Sequence, residues 1–258
     1  MSQTLAIGEK EYAFFEKDTI VGSLGACERV QYSPLFMPEQ ADLWIAHPEL
    51  FKSYGRSVSI HATGTTSAGS PVEIYAHIPG EWSERQYISY AVSEGKLINY
   101  ALPLTQQAFD ALEKRNGETD GITRVVTVMD HKKANKARFG EQSLDDALEN
   151  PHVPAFFGSE ERAEAYLNAY QKVWGNRVHI WHSDDLRQIP VARPLVLNSN
   201  LLGSSDYFNS AMRVPGVCRA SVREPVHAES KGFSLGNQVS ALSGKLLAAF
   251  PNLDRERD

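Results

Sequence analysis

Residues 57–61 and 72–78 alternate polar and apolar side chains, and the run between them, residues 64–70, contains only Gly, Ser, Thr and Ala. Period-two alternation puts one face of each segment inside and the other outside, and small turn-forming residues between two such segments make a hairpin. The hairpin's inner face must be covered by later parts of the chain, which constrains everything that follows. Residues 125–129, 177–181, 191–197 and 217–222 are further apolar runs of strand length. Residues 87–92 and 96–101, aromatic and β-branched around Ser93-Glu94-Gly95, read as a second hairpin.

Helices are punctuated between these strands. Residues 160–174 are capped by Ser159, begin with Glu160 and Glu161 at the positive end of the dipole, and stop at Gly175-Asn176. Their Ala163, Tyr166, Leu167, Tyr170, Val173 and Trp174 recur at three and four, so that face belongs to a core. Thr105 caps a helix over 105–115, and short helices fit 39–44 and 48–54, stopped by Gly55. A closing helix over 235–250 carries Gly236, Ser240, Gly244 and Ala248 as a ridge suited to close internal packing. The expected fold is α+β, a mixed or mainly antiparallel sheet with helices packed on it, in a single domain over residues 1–258. Its acidic, β-rich first half runs to about residue 120, and its second half is neutral.

Composition narrows the function. With 258 residues, 42% apolar and 22% charged, the chain has the make-up of a soluble globular protein, and a net charge of −6 argues against coating nucleic acid. No run reaches the roughly 18–20 apolar residues of a membrane span, and the amino terminus lacks the basic and apolar regions of a secretory signal. Two cysteines, Cys27 and Cys218, are too few for a disulfide framework and form no CxxC pair, so the expected compartment is the reducing cytoplasm. The pattern assigns no metal-ligand set and no cofactor.

Chemistry-bearing side chains gather at strand ends. His179, His182, Asp184 and Asp185 close one strand; strand alternation puts His179 and His182 on opposite faces, against a two-His metal site, but Asp184 or Asp185 could orient His182 as a general base. The competing reading is a turn started by Ser183 and the two aspartates. Asp130-His131 ends another apolar strand, and Lys132, Lys133, Lys136 and Arg138 follow, either an anion clamp or a solvated loop. The excess acid lies wholly before residue 130, so a ligand at this basic segment would meet a field that the net charge conceals. His61 and Thr63 share a strand face and together could bind an oxyanion; two-histidine phosphoesterases use such a pair twice, and this chain offers no second copy.

Two functions follow. The first is a hydrolase or transferase acting on a phosphate-bearing or nucleotide-like small molecule, with His131 or His182 as acid/base and Asp130, Asp184 or Asp185 orienting it. In that reading Lys132, Lys133, Lys136, Arg138, His61 and Thr63 hold the small anionic substrate. The alternative is a non-catalytic binding or assembly protein, an oligomeric accessory factor of the kind found in phage or mobile elements, with aromatic residues anchoring its interface.

Overall fold

The computed structural model describes residues 4–137, 139–181, 189–198, 201–204 and 212–219. The chain divides into two compact units, Met1–Val222 and Arg223–Asp258, and every described residue lies in the first. The helix expected over 235–250 falls outside the described residues.

In chain order the elements are β1 (Thr4–Ile7), β2 (Lys10–Lys17), α1 (Ile20–Arg29), β3 (Tyr32–Pro34), α2 (Met37–Ala46), β4 (Tyr54–Thr65), β5 (Pro71–Ala76), α3 (Arg85–Ser93), β6 (Leu102–Pro103) and α4 (Gln106–Lys114). Then come β7 (Thr119–Asp120), β8 (Thr123–Arg124), β9 (Val126–Asp130), α5 (His131–Ala134), β10 (Gly140–Ser143), α6 (Leu144–Glu149), α7 (His152–Phe157), α8 (Glu160–Trp174), β11 (Arg177–Trp181), β12 (Val191–Asn198), β13 (Leu201–Ser204) and β14 (Met212–Cys218). The larger sheet runs β10-β11-β13-β12-β4-β5-β9, with β6 paired to β12; a smaller one runs β1-β2-β14-β3. Only the β11–β13 pairing is parallel among those described, so the α+β class with a mixed, mainly antiparallel sheet holds. Leu35 joins the two sheets: its N–H donates to Pro215 O and its C=O accepts from Val58 N–H, both at 3.0 Å.

The hairpin of β4 and β5 forms where the alternation places it, in the register Thr63↔Glu73 and His61↔Tyr75. The 160–174 helix also forms as read: Ser159 Oγ accepts from Arg162 N–H, and Ala163, Tyr166, Leu167 and Tyr170 are buried. They pack with Phe51, Phe157 and Trp44 into the main core. Segments 87–92 and 96–101 do not form a hairpin. The first lies in α3, where Tyr87, Ile88 and Ala91 make a helical stripe with period 3.6 that strand-rich composition disguised. In the second, Ile98 and Ala101 exchange both backbone hydrogen bonds across Asn99 and Tyr100, whose φ angles are +46° and +62°, so it is a tight turn. The run read as 217–222 begins earlier, at Met212, and its strand ends at Cys218.

One glycine fixes how the β7–β8 hairpin seats. Gly158 ends α7 at φ +77°, and its C=O accepts from Arg124 N–H at 2.7 Å. A Cβ there would stand 2.7 Å from Thr123 Cγ2 and 3.1 Å from Arg124 O. Gly158→Ala therefore combines left-handed strain with a backbone clash, and its expected cost is about 1–3 kcal/mol. At Gly69, φ +84° with nothing within 4 Å of a Cβ, the same change carries only the conformational cost, roughly 1 kcal/mol. Urea unfolding midpoints of the two variants measure the difference.

Candidate functional site

Of the residues marked by the sequence, His61 and His131 meet, and Glu73 brings them together. The buried carboxylate of Glu73 on β5 accepts from His61 Nε2 (2.9 Å to Oε2) and from His131 Nδ1 (2.9 Å to Oε1). The Glu73 and His61 side chains are fully buried and that of His131 is 10% exposed. His131 Nε2 lies 3.1 Å from Asn135 Nδ2. Beside them, Tyr75 donates to His152 Nδ1 (2.9 Å), and the His152 Nε2–H donates to Ala134 O (3.1 Å). The rings of His61 and Tyr75 stack at 4.7 Å. Farther along the same face, Ser59 donates to His77 Nδ1 and His77 Nε2–H donates to Ala155 O, each at 2.9 Å. These partners fasten β4, β5, α5 and α7 to one another.

A hydrogen bond network of this kind leaves its histidines little to offer a substrate. Both ring nitrogens that face Glu73 present N–H groups, not lone pairs, so the cluster has the wrong polarity for a cation, and no three His, Cys, Asp or Glu side chains among the described residues are grouped to hold a metal. The cavity next to it, between Tyr75, His152, Ile180 and Trp181, has a volume of about 10 Å³, room for roughly one water. His77 and His152 are both pushed down to about 4, each chiefly by burial, with His61 nearby adding to the effect at His152.

The other marked residues sit differently. Asp130 does not orient His131: it is exposed, and its Oδ1 accepts from Lys133 N–H as the cap of α5. Thr63 is buried with His61, so the pair faces the interior and not a ligand. Lys132, Lys133 and Lys136 are exposed, and no ion pair between described residues holds them. Arg138, His182, Asp184 and Asp185 lie outside the described residues. Glu73 was missed because position 73 of an alternating strand reads as a solvent-facing site. The readable signal was the hairpin register, which lines up His61, Thr63, Glu73, Tyr75 and His77 on one face.

Strand directions gather the exposed segments at one rim of the larger sheet. β4, β9, β11 and β13 end there, and β5, β10 and β12 begin there. The rim therefore carries the 66–70 turn, the lysine-bearing segment after Asp130, and the attachment points Trp181 and Ser204 of the connections that follow them.

A solved structure of a nanoarchaeal protein, described as "Accommodation of massive sequence variation in Nanoarchaeota by the C-type lectin fold", is 31% identical to this chain with a TM-score of 0.73. The alignment covers 82% of this chain and 100% of that one. The chain belongs to the C-type lectin fold family. No protein-family model and no curated protein matches the sequence. A C-type lectin fold whose His61, His77, His131 and His152 are spent on internal hydrogen bonds overturns the hydrolase or transferase reading, and with it the nucleotide- and phosphate-binding expectation. The likeness favours the alternative, a non-catalytic binding protein. Among the described residues of this C-type lectin fold protein, no helix is long and apolar enough to cross a membrane.

Two outcomes test the network. Glu73→Ala leaves two buried imidazole donors without their acceptor and should lower stability by about 3–5 kcal/mol, read from urea unfolding, while Glu73→Gln, which keeps one acceptor oxygen, should cost less. The depressed histidines set the pH dependence. Between pH 6.5, the value of an unperturbed ring, and about 4, the unfolded chain binds protons that the folded chain refuses. Their contribution is complete above that window and is lost as the pH falls through it, at up to about 1.4 kcal/mol per pH unit for each ring. Unfolding midpoints that stay flat across the window would contradict this.

Proposed function

We propose that this chain is a non-catalytic binding protein whose recognition face is the rim of the larger sheet. The observation that carries the reading is the likeness to a nanoarchaeal C-type lectin fold described as accommodating massive sequence variation. The arrangement of this chain supports it: the polar residues of the histidine network are buried, and the exposed residues 67–70 and Lys132, Lys133 and Lys136 depart from one rim. Exposed positions on loops over a fixed scaffold can change without touching the core. Lys132, Lys133 and Lys136 bias this face toward an anionic partner. The two thiols, neither in a disulfide, fit a reducing compartment.

A display library randomised at Ala68, Ser70, Lys132, Lys133 and Lys136 tests the reading. Most members should stay folded, and panning against purified serum albumin, an acidic protein, should yield binders of micromolar affinity or better. A parallel library at His61, Glu73 and His131 should be depleted of folded members. Unfolding of most rim variants, or no binder from a folded library, would count against the rim.

A further inference from the structure

A second surface lies along the outer edge of β9. A cleft of about 510 Å³, within the size range of ligand sites, opens between β9, the β7–β8 hairpin, α7 and the start of α8. Ile122, Met129, Pro151 and Pro154 line it together with Glu160 and Glu161, with Arg124 on the hairpin wall. Ile122, at the tip of the hairpin, is 77% exposed.

The backbone of β9 states what kind of occupant fits. His77 N–H donates to Val125 O, which fixes the alternation of the β5–β9 ladder: Thr127 and Met129 bond toward β5, and the backbone groups of Val126, Val128 and Asp130 point outward. The chain covers only part of that edge, through Gly117 N–H to Val126 O and through Val128 N–H to the Asn116 side chain at 2.9 Å. Val128 C=O and Asp130 N–H have no partner among the described residues. They flank Met129, and a C=O and an N–H flanking one residue are the two groups that a parallel strand engages with the N–H and C=O of a single partner residue. An antiparallel neighbour, including a second copy of this edge across a two-fold axis, exchanges both the N–H and the C=O of each outward residue, and at Val128 it loses one of these bonds because Asn116 holds the N–H.

We propose that this cleft takes an extended segment of a partner protein, added parallel to β9, with an apolar side chain against Ile122 and Met129 and a lysine or arginine facing Glu160 and Glu161. Main-chain bonds supply the affinity and the two carboxylates supply the selectivity, as in recognition by strand addition. Unlike the rim, this surface does not depend on the lysines after Asp130, so the two readings fail separately.

The test uses the whole chain and three capped peptides: Lys-Val-Thr-Val-Lys, its Glu-flanked counterpart, and the Lys-flanked peptide with its central amide N-methylated. The Lys-flanked peptide should bind saturably and slow hydrogen exchange at the Asp130 amide. Each of the other two should bind at least about tenfold more weakly, and Ile122→Asp or the Glu160→Lys, Glu161→Lys pair should weaken the first peptide likewise while the fold, read by circular dichroism, is kept. Absence of saturable binding, equal affinity for the three peptides, or binding without protection at Asp130 would overturn the proposal. So would a concentration-dependent dimer abolished by Ile122→Asp, which would assign the cleft to a second copy.

Discussion

The rest of the architecture depends on one buried carboxylate. Glu73 sits in the middle of the larger sheet's first hairpin, and leaving it unpaired away from water would cost more than a typical packing contact supplies. Its two oxygens are met by His61 from the facing strand and His131 from the short helix that follows β9. Because β4 and β5 are adjacent strands while α5 comes much later, this single side chain ties local hairpin geometry to a distant segment. Tyr75, His152 and Ala134 extend the tie to α7, which then covers the hairpin face that carries all these groups.

That arrangement explains why the polar residues here are structural. A catalytic base must present a lone pair to a substrate, whereas His61, His77, His131 and His152 donate inward or accept from neighbours, and the cavity at His152 has room for about one water. The same expenditure frees the surface. The exposed side chains of residues 67–70 and of Lys132, Lys133 and Lys136 take no part in that network, a separation suited to the proposed binding role.

Legibility in the sequence followed the range of the interactions. The 160–174 helix could be read because its cap, dipole charges and apolar stripe lie within fifteen consecutive residues, and the 57–78 hairpin because its turn is short and its period is two. The 87–92 segment was misread since six residues of mixed aromatic and aliphatic character satisfy both periods, and only packing of Tyr87, Ile88 and Ala91 on one side chooses the helix. At the site, His61 and His131 were marked as chemistry-bearing, but the carboxylate between them was not, and Asp130 was given the role that Glu73 fills. Sequence neighbours are poor guides to hydrogen bond partners when a strand and a cap intervene: Asp130 adjoins His131 in the chain and yet turns outward to hold Lys133 N–H.

By itself the sequence determined the elements whose signals are local: the first hairpin, the capped helices, the α+β class and the crowding of polar residues at strand ends. Only the tertiary structure decided that both sides of the hairpin are inside, with Val58, Ile60, Ala62, Val72 and Ile74 buried on one face and His61, Thr63, Glu73, Tyr75 and His77 on the other. Alternation predicts one covered face, whereas later segments cover both, and α7 covers the polar one, where Tyr75 and His77 find partners in His152 and Ala155. That covering turned residues with the look of a catalytic set into the internal bracing of a C-type lectin fold.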